Sequence, residues 1–167
     1  MRILGVDPSF NRSGWSVVEW SDRPTVVAAG VISPKGQGRP IQLVSIRDQF
    51  DEIVRSLQPD AAFFERPGAW QRKGGTRRET IEVLSMGRAV MLLACAVRDL
   101  PAYEVEVHLI RKAMFGRVNA LPADVVTLLL GRGFTAPLRP RGGTDMDICN
   151  ALVMCLYGAA TLFPDRY

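Results

Sequence analysis

The chain has 167 residues, 47% of them hydrophobic and 23% charged, which suits a single domain spanning 1–167 with a core of its own. Its longest apolar run, Ala89 to Val97, is half the roughly 18 residues of a membrane span, so no membrane partner is expected. The net charge of +4 alone points only weakly to a polyanionic partner.

Ile3, Leu4 and Val6 form a short apolar run that reads as a buried strand ending in Asp7 and broken at Pro8. Gly14 to Trp20 restarts a strand after the turn over Pro8 to Ser13, and Thr25 to Ile32 makes a third. Ser33 to Pro40 is a loop rich in Gly and Pro, followed by helical spacing from Ile41 to Leu57. Asp60 to Glu65 is a second buried-strand signal that ends in an acid. A basic loop follows, and then a long helix from Thr80 to Leu100 whose centre, Ser85-Met86-Gly87-Arg88-Ala89, is small enough for close packing. Tyr103 to Val107 alternates as a half-buried strand. Short helices are expected over Leu109–Phe115 and Pro122–Leu130, then a Pro/Arg/Gly loop from Thr135 to Gly143. The last helix starts at Thr144 and is apolar nearly all round, so it should be buried. The order predicts a mixed five-stranded sheet flanked by helices, in the α/β range.

Cys95, Cys149 and Cys155 are odd in number, lie in apolar runs and lack metal-ligand spacing, so they read as buried thiols in a reducing compartment. A lone His108 builds no histidine-rich metal site. The first residues lead straight into a strand with no signal-peptide shape.

Three acids stand at the ends of otherwise buried elements: Asp7 after the first strand, Glu65 after the fourth, and Asp147 at the start of the last helix. If the first and fourth strands are adjacent and parallel, Asp7 and Glu65 share one edge of the sheet. Carboxylates converging there suit Mg²⁺ or Mn²⁺, and two such ions about 4 Å apart can drive phosphodiester hydrolysis. Without a cation, one of the acids would protonate. Each acid also has a plainer use. Glu65 could pair with Arg66, Arg111 or Lys112, Asp7 could cap its turn, and Thr144 with Asp147 fits a capping box. Asp145 could be a first-turn acid placed for the helix dipole.

The ordered motifs resemble the RuvC family of Holliday-junction resolvases, which have an RNase H-like fold. Leu4-Gly5-Val6-Asp7-Pro8-Ser9 with Gly14-Trp15 is similar to the family's opening motif, and Phe63-Phe64-Glu65 to its second. Leu84-Ser85-Met86-Gly87-Arg88-Ala89 resembles the helix that carries the family's dimer contact. Ile110-Arg111-Lys112-Ala113-Met114-Phe115-Gly116 resembles the basic segment before its last helices, and Asp147-Ile148-Cys149-Asn150-Ala151-Leu152 its closing motif. The resemblance implies a Mg²⁺- or Mn²⁺-dependent endonuclease with two ions per site, acting on four-way or other branched DNA as a homodimer. It also implies the cytoplasm of a bacterial cell, and the gene could equally be phage-borne. Asp7, Glu65 and Asp147 would be catalytic metal ligands, with Asn150 or Asp145 completing the set and Lys112 or Arg111 steadying the phosphate.

Two positions depart from the family pattern. The closing motif usually carries an acid where Asn150 stands; three residues after Asp147 it shares that acid's helix face and can offer only a neutral oxygen. Asp145 could substitute only if the helix starts after it. Pro122 stands where a Lys is common, leaving Arg117 as the nearest cation.

On the substrate side, Arg66, Arg72, Lys73, Arg77 and Arg78 can neutralise phosphates, and Trp70 can stack on an unpaired base. Arg111 and Arg117 extend the basic set. Two rival readings remain: a non-catalytic branched-DNA-binding protein of the same fold, and an ATP-binding domain of the sugar-kinase type, which 167 residues hardly accommodate.

Overall fold

A computed structural model describes residues 1–21, 23–66, 78–135 and 144–166. Its elements are β1 (Arg2–Asp7), β2 (Ser13–Trp20), β3 (Pro24–Ile32), α1 (Arg39–Leu57), β4 (Ala61–Arg66), α2 (Arg78–Val97), β5 (Ala102–Glu106), α3 (Val107–Phe115), α4 (Pro122–Gly131) and α5 (Met146–Leu162). A one-turn 3₁₀ helix, Pro164–Arg166, ends the described chain. The five strands form one sheet in the order β3-β2-β1-β4-β5. β1 runs antiparallel to β2 and parallel to β4, and β4 runs parallel to β5.

The alternation of side chains along β1 and β4 assigns the two faces of the sheet. Leu4, Val6, Ala62 and Phe64 pack with Ile46, Phe50 and Val54 of α1 and Met91 and Cys95 of α2. Ile3, Ala61 and Phe63 pack against α5, with Ile110 of α3 and Leu129 of α4 behind it. The architecture is therefore a mixed sheet between two helical layers, as the element order predicts. All three cysteines are buried free thiols. No helix among the described residues is long and apolar enough to cross a membrane.

Two local departures have clear causes. β5 is mostly exposed rather than half-buried, because it is the sheet's edge strand. Gly87, in the small-residue centre of α2, is buried against its own chain, with the backbone of Phe10 in the β1–β2 turn 3.5 Å from where a Cβ would stand.

Candidate active site at the rim of the sheet

Strand period two puts Ile3, Gly5 and Asp7 on one face of β1, and Ala61, Phe63 and Glu65 on the same face of β4. The last β1–β4 register pair is Val6 with Phe64, so Asp7 and Glu65 follow it side by side, on strands roughly 4.8 Å apart. α5 covers this face at unusually short range. A Cβ on Gly5 would lie 2.0 Å from the carbonyl oxygen of Ala151, and one on Gly14 would lie 2.0 Å from that of Asp147. These two contacts seat the backbone of α5 directly on β1 and β2. They bring Asn150 over the rim, where its Nδ2 donates to Oδ2 of Asp7 at 2.9 Å.

The electrostatics match the crowding. Burial raises the pKa of Asp7, against the hydrogen bond from Asn150 and the charge of Arg111. Burial, reinforced by the charge of Asp7 and opposed by Arg111, pushes Glu65 up to about 8. Two carboxylates thus share a poorly solvated spot in which the second charge is costly. Arg111 on α3 is half-buried and its field reaches both acids, whereas the neighbouring Lys112 is exposed. Of the partners considered for Glu65, Arg66 is turned to Glu106, whose other oxygen lies 3.0 Å from Nδ1 of His108.

The remaining acids sit at the start of α5. The helix begins at Met146 with Asp145 in the N-cap position, so the capping box on Thr144 does not form. Asp145 is only 2% exposed, and its carboxylate does not cap the helix because Arg12 engages it. Nη1 of Arg12 donates to Oδ1 of Asp145 at 3.0 Å, and Nη2 is paired with Oδ2. Nη1 also contacts Asp147. The rim therefore brings together Asp7, Glu65 and Asn150, while Asp145 and Asp147 face a guanidinium. Among the described residues, no three acids, cysteines or histidines are grouped closely enough to hold a metal ion.

Arg12 was not among the residues singled out from sequence. Its signal was indirect: two acids two residues apart at the mouth of a buried helix require a cation. Arg117 is paired with Asp124 at 2.6 Å, and that carboxylate also accepts from the backbone N–H of Leu121 at the start of α4. Arg78 is the first residue of α2. The expected DNA contacts Trp70, Arg72, Lys73 and Arg77 lie outside the described residues.

Residues 3–132 match the family model for crossover junction endodeoxyribonuclease RuvC. The chain is similar to the proteins of that name from Nitratidesulfovibrio vulgaris strain DP4 and Chloroflexus aggregans. The first is 32% identical over 92% of this chain and 88% of the relative, and the second 31% identical over 97% and 96%. The fold is similar to that of T. thermophilus RuvC in complex with Holliday junction substrate. That similarity has a TM-score of 0.80 at 19% identity and covers 97% of this chain and 94% of that one.

Proposed function

Because this chain belongs to the RuvC family of crossover junction endodeoxyribonucleases, we propose that it resolves Holliday junctions by metal-dependent hydrolysis of phosphodiesters in symmetric strands. The observation that carries this reading is the juxtaposition of Asp7 and Glu65 at one end of parallel strands, with Asn150 of α5 against Asp7. The donor set fits a hard divalent cation. Two carboxylates driven towards protonation by burial and by each other are relieved when Mg²⁺ or Mn²⁺ binds. Asp7 and Glu65 would hold a first ion. A second would draw on Asp7, the neutral side-chain oxygen of Asn150, and Asp147. Bound ions supply a nucleophile from water at neutral pH and take up charge on the leaving oxygen.

The chain's own groups do the rest. Arg111, whose charge already reaches both acids, would steady the scissile phosphate, in preference to the more exposed Lys112. Arg66, beside Glu65, and the basic residues that follow it would neutralise neighbouring phosphates.

Symmetric cutting needs two copies. On α2, Ala89, Leu93, Ala96 and Val97 form an exposed stripe on the face opposite Gly87 and Met91, with Leu93 57% and Val97 75% exposed. This stripe is the surface we assign to a two-fold homodimer. Gly87 itself serves packing within the chain.

The test is a cleavage gel on an end-labelled four-way junction with Mg²⁺ or Mn²⁺. Paired, symmetric nicks are expected, and Asp7→Asn should bind the junction and leave it uncut. Normal turnover by Asp7→Asn would overturn the site. A second reading, a junction-binding protein without nuclease activity, is favoured by one feature: an amide stands at Asn150 and Asp147 is held by Arg12. Binding without nicks at every metal concentration would support that reading instead.

A further inference from the structure

Arg12 lies in the turn between β1 and β2, and that turn is closed on itself. Ser13 Oγ accepts from the N–H of Ser9 at 2.9 Å and donates to the Ser9 carbonyl. Gly87 of α2 backs the turn at Phe10. The turn therefore presents Arg12 to the first residues of α5 from a fixed base.

The two acids that Arg12 meets are unequal. Asp145 is buried and takes both arms of the guanidinium, while its carbonyl accepts the backbone N–H of Cys149 at 3.0 Å. The side chain of Asp147 is 30% exposed and touches one nitrogen of Arg12. Arg12 divides one positive charge between the two carboxylates, and it does so unequally. Separating Asp145 from Arg12 would break two charged contacts on a buried carboxylate. Releasing Asp147 would strand nothing, because Arg12 keeps its two-armed partner.

We infer that Arg12 is a positioning residue that holds the Asp147 carboxylate in the metal-free protein and yields it to an entering second cation while staying locked on Asp145. This rests on the metal reading above. It makes the second ion's affinity the result of a competition between Arg12 and the ion for one carboxylate.

The test is Mn²⁺ binding to the whole chain, with free Mn²⁺ counted by electron paramagnetic resonance. The variant is R12Q combined with D145N, which removes one positive and one negative charge together and leaves an amide pair in their place. With the fold intact by circular dichroism, the second Mn²⁺ should bind about fivefold more tightly, the size of one partly exposed ion pair. The first site should be unchanged. A second site that is unchanged or weaker in the folded variant overturns the inference. Should the variant not fold, the wild type decides. The Nε–Hε signal of Arg12 should move during the second phase of a Mg²⁺ titration, and a signal that stays fixed to saturation overturns the inference. Absence of any Mn²⁺ binding by the wild type would instead overturn the metal site itself.

Discussion

At the scale of single residues, Glu65 carries a pH dependence whose sign is fixed. Its carboxyl titrates near 4.5 when unfolded and at about 8 when folded. Between those values the folded chain binds the extra proton, so its stabilisation, full below 4.5, is lost as pH rises through about 8. The melting temperature of the metal-free protein should fall from pH 5 to pH 8, and Glu65→Gln should flatten that fall. Added Mg²⁺ should recover most stability at the alkaline end, where deprotonating the ligand costs least. A wild-type profile that is flat across this range would refute the proton-retaining, buried state of Glu65.

Asn150 makes a second prediction at the same scale. Its amide donates to Asp7 but adds no charge. Asn150→Asp should lower the Mn²⁺ concentration at half-maximal cleavage by about tenfold, since a carboxylate–cation bond is stronger than a neutral one. Junction affinity without metal should hold or fall slightly. A folded Asn150→Asp protein without activity would show that Asn150 does not face an ion.

At the scale of elements, the site depends on how closely α5 approaches the sheet. Gly5→Ala places a methyl carbon 2.0 Å from the Ala151 oxygen and 2.9 Å from Sγ of Cys155. The obstacle is helix backbone, so α5 must move outward. The expected cost is at least the roughly 1–3 kcal/mol of ordinary overpacking, read from the urea midpoint. Asn150 would be carried off Asp7 at the same time, so cleavage should drop further than stability alone explains.

These elements were unevenly legible in the sequence. β1 and β4 were readable because a buried strand that ends in an acid contradicts its own hydrophobicity, and that contradiction marks Asp7 and Glu65. The start of α5 was misread at Thr144 because local capping chemistry was weighed without Arg12, which lies 133 residues from Asp145. Arg12 claims the Asp145 carboxylate, and the helix begins one residue after it. The role of Gly5 was equally hidden, since it exists only where two backbones meet.

At the scale of the molecule, the α2 stripe leaves large apolar side chains in water, with Leu93 57% and Val97 75% exposed. Ala89, Leu93 and Ala96 follow helical spacing on the face turned away from the core, where a lone globule would carry charge. Small residues flanking one leucine allow two such helices to approach closely. In an isologous contact each copy presents the same patch, so a substitution enters twice. Leu93→Glu would set two unpaired carboxylates into a closing interface, each costing several kcal/mol if desolvated. The dimer dissociation constant should rise by about a hundredfold or more, measured by sedimentation velocity, with the monomer's melting curve little changed. Because Leu93 lies on the outer face of α2, away from the rim residues, each monomer should still nick. The nicks on opposite strands should then become independent, leaving singly cut junctions where the wild type leaves paired cuts. Paired cutting by a Leu93→Glu protein that sediments as a monomer would refute the two-copy mechanism, and an unchanged dimer would move the interface off α2.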